Sequence, residues 1–386
     1  MPSPHACRKP APMRSIRLLL LSLAMSIVLP AYAALAAAVS ITDDAGRTVE
    51  MAQPAQRIVL TDGMGLIGLA AVARNPVGLL AGWNKGRLDT DVLEAFRRDG
   101  PAIDAVPDIG ELRSGSAAVE ALIALRPDLV VLDPYYRSAV AIRQLEAAGI
   151  AVAVLALTPS VRDAEPAYGI KRLSMLIGRE AEGQAFSDFV GARLERIRAR
   201  LEGLGADDRP LVLLEAHAGR GACCLVAGAG QGIGDFVDFV GGRNLGADLV
   251  PGMAGQISAE YVLAADPAVY IGTGGAYMKA AGGLTVAPSF IASQARASLD
   301  AVLQRPGLAG TGVVSAGRAH GLWHGLAISG INIVAIEAMA RWVHPERFAD
   351  LDPAATLAEI DRRFLAVPLT GTMWVDLAPA GVEARP

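Results

Sequence analysis

Aromatic, histidine and arginine side chains follow several of the apolar segments that we predict to be buried strands. In open α/β sheets ligands bind outside the carboxyl ends of the strands, so these side chains are candidates for ligand contact. Aromatic rings there either form the wall of a ligand site or pack between lobes. An arginine there suits carboxylate, catecholate or hydroxamate oxygens, with a surface ion pair as the alternative. The predicted ligand-binding residues are Trp83, Tyr135, Tyr136, His217, Arg220, Tyr277 and Trp323.

The catalytic motifs that a hydrolase would need do not occur in the sequence. G-x-S-x-G, H-E-x-x-H and paired-carboxylate motifs are missing. The glycine-rich segment 228–234 fails the dinucleotide-binding pattern, because Ile233 and Asp235 stand where its last glycine belongs. We therefore predict a binding protein and no enzyme, with an exported hydrolase as the less favoured alternative.

His320 and His324 have the i, i+4 spacing of a metal site on a helix. Gly321 and Gly325 disfavour a regular helix here, and no nearby carboxylate completes a ligand set. We therefore predict that the protein holds no metal ion by its own side chains. The alternative for this segment is that Trp323 and His324 reach a ligand cleft.

Two adjacent cysteines, Cys223 and Cys224, are the only ones that follow residue 36. In an oxidising compartment they can close a vicinal disulfide, but the small ring requires a distorted peptide. Two buried thiols are the alternative that the sequence favours. The pair makes no disulfide framework, so the fold depends on core packing.

Short apolar segments alternate with helical patterns along the chain, which predicts an α/β fold with two domains. The stretch 41–51 predicts a small hairpin. Strands of a first sheet are predicted at 57–60, 77–80, 129–132 and 151–155, with helices at 66–74, 90–98, 117–125 and 138–148. A second set has strands at 211–214, 225–227 and 269–272 and helices at 234–240 and 259–264, followed by C-terminal helices at 328–343 and 353–364.

The segment 165–204 carries no strand pattern and separates the two sets. From Glu180 its apolar residues recur at helical spacing, which predicts one amphipathic helix of about 24 residues. Gly178 separates this helix from a preceding one at 167–177. A long helix between two α/β units predicts a rigid connection with limited closure of the lobes.

The two sets share an internal repeat. Glu120 precedes Pro127, and Glu260 precedes Pro267, by seven residues in both cases. Each proline ends a helix just before a strand. We predict that each glutamate lies in the first turn of its helix, where the helix dipole favours a carboxylate. The repetition also suggests two exposed acids that match two basic sites of a symmetric partner.

The N-terminal residues have the features of a secretory signal peptide. Four basic residues precede an apolar segment from Leu18 to Leu29, which is too short to span a bilayer, and small residues follow it. We predict cleavage near residues 33–38. Removal of residues 1–36, with four basic and no acidic side chains, changes the net charge from −4 to −8. This acidic balance without a basic tract argues against nucleic acid as a partner.

These features resemble the class III solute-binding proteins of ABC importers for ferric siderophores, haem and cobalamin. The resemblance covers residues 40–343 and is carried by RIVLTDG, VEALIALRPDLVVLDP, GDFVDFVGGRNLGADL and ISAEYVLAADPAVYIGTG. It implies two doubly wound α/β lobes joined by a single long linker helix, with a ligand cleft between the lobes. The implied domains are a signal peptide (1–36), an N-terminal lobe (37–165), linker helices (166–204) and a C-terminal lobe with a helical tail (205–386).

The resemblance also implies a function in the periplasm. The chain is expected to capture a small-molecule chelate of the iron(III)–siderophore type and to deliver it to a permease dimer in the inner membrane. Haem is the alternative, with Tyr135, Tyr136 or Tyr277 as its phenolate ligand, and cobalamin and molybdate stay open. Glu120 and Glu260 are expected to dock onto permease arginines. We expect a monomer without a cofactor.

Two features depart from the family pattern. Ala268 stands in the second repeat where the first has Asp128, and the tail beyond residue 343 is long.

Overall fold

A computed structural model describes residues 38–99, 101–111, 116–230 and 232–377 of the chain. The predicted signal peptide, residues 1–36, lies outside these ranges and stays a prediction. In the described part of the chain, no helix is both long enough and apolar enough to cross a bilayer.

Strands and helices alternate along the described residues. The strands are β1 (Val39–Thr42), β2 (Thr48–Met51), β3 (Ile58–Leu60), β4 (Leu80–Trp83), β5 (Leu129–Leu132), β6 (Ala151–Val154), β7 (Leu211–Glu215), β8 (Leu225–Ala227), β9 (Arg243–Asn244), β10 (Ala254–Gln256), β11 (Val269–Gly274), β12 (Ala319–Trp323) and β13 (Trp374–Asp376). The α-helices are α1 (Gly65–Ala70), α2 (Pro76–Leu79), α3 (Thr90–Asp99), α4 (Ser116–Ala124), α5 (Ala139–Ala147), α6 (Tyr168–Leu176), α7 (Glu180–Leu201), α8 (Gly234–Phe239), α9 (Ala259–Ala265), α10 (Ala292–Leu303), α11 (Gly312–Ser315), α12 (His324–Ala327), α13 (Ile333–Val343) and α14 (Pro353–Arg363). Short 3-10 helices span Lys85–Arg87, Pro101–Ala105, Pro134–Tyr136 and Ala276–Ala281.

The first lobe is built on a sheet of parallel strands in the order β4-β3-β5-β6. Ile58 packs in the main core on one face of this sheet, whereas Val59 packs in a smaller core on the other face. The continuous apolar pattern of these strands therefore reflects burial on both faces. The hairpin predicted at 41–51 is present as β1 and β2, and the Asp43 carboxylate accepts two backbone hydrogen bonds in its turn.

Strand β4 lies three residues later than the strand predicted at 77–80, because Pro76–Leu79 forms α2 instead. The Asn75 side chain caps this helix by accepting a backbone hydrogen bond at 3.0 Å. The proline at the first helical position supplies the φ angle that a first turn requires. The prediction was wrong here, and the shift places Trp83 inside a strand.

The second lobe contains a seven-stranded sheet in the order β10-β8-β7-β11-β12-β13, with β9 beside β7. Strands β7, β11 and β12 are parallel, and β8, β10 and β13 extend them with antiparallel pairs. The sequence pattern does not reveal β9, β10, β12, β13 or α10. Three of these strands have only two or three residues, and Gly321 interrupts the apolar pattern of β12.

Helix α7 has 22 residues and lies in the chain between the two sheets, where the sequence predicts a long helix. Its buried Phe186 belongs to the same core cluster as Leu60 of the first sheet and Leu213 of the second. The described residues all belong to one compact unit. The two lobes therefore share a continuous apolar core.

Helix α13 begins at Ile333, and not at residue 328 as the sequence predicts. The preceding segment lies against the first lobe. A Cβ atom on Gly330 would approach the Gly68 Cα to 2.7 Å, so only glycine permits this contact. Residues 328–332 therefore pack against the first lobe instead of forming the first turn of α13.

Hydrogen bonds between the lobes surround this glycine contact. The buried Asn332 amide donates to the Pro159 carbonyl at 2.7 Å. The Thr158 hydroxyl donates to the Ile328 carbonyl, also at 2.7 Å. These bonds hold the segment before α13 in one position relative to the first lobe.

The internal repeat extends to the backbone. Arg126 and Asp266, each directly before its proline, both adopt left-handed backbone, with φ of 48° and 40°. Glu260 lies in the first turn of α9, as predicted. Glu120 lies in the second turn of α4, because this helix begins at Ser116, so its predicted first-turn position was wrong.

Candidate ligand-binding site

A cavity of about 580 Å³ lies between the two lobes. Its volume falls within the range of small-molecule sites. The lining residues are Met64, Gly86, Leu88, Asp89 and Thr90 of the first lobe and His217, Ala276, Tyr277, His324, Gly325 and Ile328 of the second. Most of them follow the carboxyl ends of parallel strands, where an open α/β sheet places its ligand.

Two histidines and a tyrosine form a cluster on the second-lobe wall. His217 follows β7, Tyr277 follows β11 and His324 follows β12, so three adjacent parallel strands bring them together. The Nδ1 atom of His217 lies 2.6 Å from the hydroxyl oxygen of Tyr277. The imidazole centroids of His217 and His324 are 4.3 Å apart.

Thr273 on β11 orients both histidines. Its hydroxyl oxygen accepts a hydrogen bond from the His217 backbone at 3.2 Å and lies 3.0 Å from the Nδ1 atom of His324. Since Nδ1 of His217 is engaged with Tyr277, Nε2 is the nitrogen that this imidazole can present to a ligand. His217 also adopts left-handed backbone, with φ of 50°.

The surroundings favour neutral forms of the paired side chains. Burial and the nearby Arg220 guanidinium lower the pKa of His217. Loss of hydration, together with the charge of Asp89, raises the pKa of Tyr277, although half of this side chain is exposed. At neutral pH an imidazole and a phenol therefore share a hydrogen bond. A metal ion that displaced the phenol proton would gain an oxygen ligand beside a nitrogen ligand.

Asp89 places a carboxylate in the first-lobe wall. Its Oδ2 atom accepts a hydrogen bond from Nε1 of Trp323 at 2.8 Å, and its Oδ1 atom accepts one from the Asp91 backbone at 3.2 Å. Burial raises the pKa of Asp89, and the Trp323 hydrogen bond opposes this effect. The cavity wall thus contains a direct polar contact between the lobes.

Among the predicted ligand-binding residues, His217 and Tyr277 line the cavity. Trp83 and Trp323 are fully buried in the main core and do not line it. The Trp323 ring lies directly beneath Gly325, where a Cβ atom would approach its ring to 2.4 Å. Trp323 therefore supports the cavity wall from behind, by packing, whereas Trp83 is part of the core.

The remaining predicted residues lie elsewhere. Tyr135 belongs to a 3-10 helix of the first lobe, is 69% exposed and does not line the cavity. The side chain of Tyr136 lies outside what the structure describes. Arg220 is exposed, and its charge acts on both His217 and Tyr277, so it lies beside the cluster. Ligand contact by these residues stays a prediction.

Met64 follows the predicted strand 57–60, but the rest of the first-lobe wall was not predicted from the sequence. Leu88, Asp89 and Thr90 belong to the connection between β4 and α3, which carries no binding motif. The one available signal was an acidic residue followed by threonine at the start of a predicted helix, which is typical of a helix cap. Only the placement of β4 brings this segment opposite His217.

His320 lies apart from the cluster. Its Nδ1 atom lies 2.7 Å from a carboxylate oxygen of Asp376, and its ring stacks on Trp342 with centroids 4.7 Å apart. It belongs to β12, whereas His324 begins α12, so their spacing is not helical. Within the described ranges, no three His, Cys, Asp or Glu side chains gather as a metal site.

The structure joins Cys223 and Cys224 in a vicinal disulfide. The sequence favoured two thiols, and this expectation is not the arrangement found. Cys224 is fully buried and Cys223 nearly so. Neither lines the interlobe cavity.

The comparisons with known proteins agree with this architecture. Residues 85–320 match a family model described as periplasmic binding protein. The chain is similar to the TroA-like periplasmic binding protein FepB from Veillonella parvula, with a TM-score of 0.79 and 22% identity over 88% of this chain and 100% of that one. No curated protein matches it.

Two further solved structures show the same fold. One is the molybdate periplasmic binding protein MolA from Haemophilus influenzae, with a TM-score of 0.63 and 18% identity over 84% of this chain and 97% of that one. The other is a periplasmic heme binding protein from Pseudomonas aeruginosa, with a TM-score of 0.52 and 23% identity over 84% of this chain and 98% of that one.

The chain belongs to the periplasmic binding protein family, since the family model covers more than half of its length. The resemblance to class III members and the predicted α/β fold are confirmed. Membership implies a periplasmic location, a small-molecule ligand and an ABC permease as partner. The two solved relatives bind different ligands, molybdate and heme, so the fold does not select one.

Proposed function

We propose that this chain captures an iron(III) chelate of the siderophore type and delivers it to its permease. The supporting observation is the approach of His217 Nδ1 and Tyr277 Oη to 2.6 Å on the wall of the interlobe cavity. Imidazole nitrogen and phenolate oxygen are both ligands that iron accepts.

The proposed ligand is a chelate and not a bare ion. A cavity of about 580 Å³ is far larger than one metal ion requires. Sites that hold an ion with protein side chains use three or four ligands, and no group of three His, Cys, Asp or Glu side chains occurs among the described residues. Two donors on one wall suit a metal that an organic chelator has left with two open positions.

Arg220 supports an anionic chelate. Its exposed guanidinium lies close enough to lower the pKa of His217. Catecholate and hydroxamate chelators carry negative oxygens, with which a guanidinium forms charge-assisted hydrogen bonds. Asp89 on the opposite wall disfavours negative charge on the side of the chelate that faces the first lobe.

Haem is the alternative that the same residues favour. Tyrosine and histidine both occur as axial ligands of haem iron. The apolar side chains of Met64, Leu88 and Ile328 also contribute to the cavity wall. A porphyrin needs only one axial donor on this face, whereas an open chelate uses His217 and Tyr277 together.

Titration of intrinsic fluorescence in the exported protein tests the proposal. The probes are iron(III) complexes of a four-donor bis-catechol and of a six-donor tris-catechol, haem, cobalamin and molybdate. We expect the four-donor complex to quench fluorescence at the lowest concentration and to gain a phenolate-to-iron absorption band. A response to molybdate with no response to either ferric complex would overturn the proposal, and tighter binding of haem would favour the alternative.

Delivery is proposed to use Glu120 and Glu260. Both side chains are exposed, on helices that occupy equivalent positions in the two lobes. A hydrogen bond from its own backbone, with one from Ser258, lowers the pKa of Glu260, so this carboxylate is ionised in the periplasm. Two fixed negative charges suit two arginines on the subunits of a symmetric permease.

A further inference from the structure

A second cavity, of about 340 Å³, lies in the second lobe and shares no lining residue with the interlobe cavity. It is enclosed by β12, the C-terminal half of α13 and the tail strand β13. Part of its wall therefore comes from the long tail that departs from the family pattern. The side chains that matter to its chemistry are Arg318, Arg341, His320, Asp376, Trp342 and Trp374.

Arg318 brings an uncompensated positive charge to this cavity. Its Nη2 atom donates to the carbonyls of Trp342 and Val343 at 2.9 and 3.3 Å, whereas its buried Nε atom has no hydrogen-bond partner. Burial lowers the pKa of Arg318, and no acidic side chain counteracts this effect. Among the described residues, no carboxylate lies within ion-pair distance of this guanidinium.

Arg341 adds a second guanidinium. Its Nη1 atom donates to the Leu351 carbonyl at 3.0 Å. The carboxylate of the cavity wall, Asp376, lies 2.7 Å from His320 Nδ1, and its charge also interacts with that of Arg341, which it partly compensates. Two guanidiniums, of which that of Arg341 is exposed, face one carboxylate, so the cavity carries a net positive charge that a bound anion would neutralise.

The remaining walls are flat and apolar. The Trp342 indole stacks on His320 with an interplanar angle of 11°, and Trp374 faces the same cavity together with two prolines. Indole rings and guanidinium planes both favour a planar partner. Inorganic anions would leave these apolar walls without contact.

We propose that this cavity is a second ligand site, for a small aromatic carboxylate whose carboxyl group binds Arg318 and Arg341 and whose ring lies against Trp342 and Trp374. The site does not depend on the proposed iron chelate function. It would give the protein a second ligand, bound within one lobe and away from the lobe interface.

Isothermal titration of the exported protein with benzoate tests this site. We expect binding of one benzoate per chain, weakened about tenfold or more by Arg341→Gln and by Arg318→Gln. The matched control is Arg243→Gln, which changes an exposed arginine of β9 and is expected to bind benzoate normally. Because Arg318 also donates hydrogen bonds to the end of α13, the thermal stability of Arg318→Gln is measured as well. If Arg318→Gln is unstable, the result for Arg341→Gln decides the test.

Three results would overturn the proposal. The first is no heat of benzoate binding up to millimolar concentration. The second is equal weakening by Arg243→Gln or by Tyr277→Phe, which would place benzoate elsewhere or in the interlobe cavity. The third is binding of inorganic phosphate as tight as that of benzoate, which would show that the aromatic walls contribute nothing.

Discussion

The indole Nε1 of Trp323 donates a hydrogen bond to the Asp89 carboxylate at 2.8 Å, and this bond joins the second lobe to the first beside the interlobe cavity. Trp323 is fully buried, and its hydrogen bond opposes the effect of burial on the pKa of Asp89, whose other carboxylate oxygen accepts a hydrogen bond from the Asp91 backbone. Asp89 therefore both lines the cavity and holds the two lobes together.

Trp323→Phe is expected to lower the free energy of unfolding by about 1–3 kcal/mol, because it removes one of the hydrogen bonds that the partly buried Asp89 carboxylate accepts. In an Asp89→Asn background the same change is expected to lower the free energy of unfolding by less, since the side chain that loses the hydrogen bond is then uncharged. Chemical denaturation of the four proteins in this cycle measures the difference. Equal losses in both backgrounds would show that the ring's packing, and not its hydrogen bond, accounts for the effect.

Tyr277→Phe is expected to weaken binding of the four-donor ferric complex by about 10–100-fold and to abolish the phenolate-to-iron absorption band. The matched control is Tyr135→Phe, which changes an exposed tyrosine that does not line the cavity. Retention of the band in the Tyr277 variant would exclude this phenol as the iron ligand.

Affinity for the ferric complex is expected to rise with pH. The pKa of Tyr277 is raised, so the phenol is protonated at neutral pH and must release one proton to bind iron. Below that pKa, the association constant therefore rises about tenfold per pH unit. Because the pKa of His217 is lowered, protonation of its imidazole contributes to the pH dependence of binding only at more acidic pH. Titrations at several pH values give the slope, and Tyr277→Phe should flatten it.

Replacement of both Glu120 and Glu260 by Gln is expected to reduce cellular uptake about tenfold or more while the affinity for the chelate stays unchanged. The matched control is Glu195→Gln on α7, whose side chain is 70% exposed. Normal uptake by the double variant would refute the docking role, and a matching loss of chelate affinity would point to damage within the cavity.

Arg126→Gly is expected to be more stable than Arg126→Ala by about 1 kcal/mol, because a Cβ atom is disfavoured in left-handed backbone. Arg126 is exposed, so the comparison is not complicated by burial. Thermal unfolding of the two variants measures the difference. A more stable alanine variant would show that the φ of 48° is not maintained in solution.

Much of the fold follows from local signals in the sequence. Strands β3, β5, β6, β7, β8 and β11, helix α7 and the glutamate–proline repeat all have periodicities or turn residues that depend on neighbouring positions only. The late start of α13 has a different origin. Gly330 meets Gly68, which is far away in the chain, and no local pattern reports such a contact.

In the candidate site, too, some residues follow from local sequence signals and others depend on contacts between distant parts of the chain. His217 and Tyr277 directly follow strands that the pattern predicts, so their position at the cavity could be predicted. Trp83 was expected on a loop, but the three-residue shift of β4 places it in the core. Asp89 lines the cavity because the connection between β4 and α3 lies against the second lobe, and its own sequence context indicates only a helix cap.

The interlobe bonds of Asn332 and Thr158, together with the shared core, have a consequence for the traffic of this receptor. We expect lobes joined by these contacts to move little, and therefore to present the two exposed glutamates at nearly the same separation with and without cargo. Empty copies would then compete with loaded copies for the same importer. We expect the rate of import to follow the ratio of loaded to empty receptor, so that overproducing the receptor when cargo is scarce would slow import.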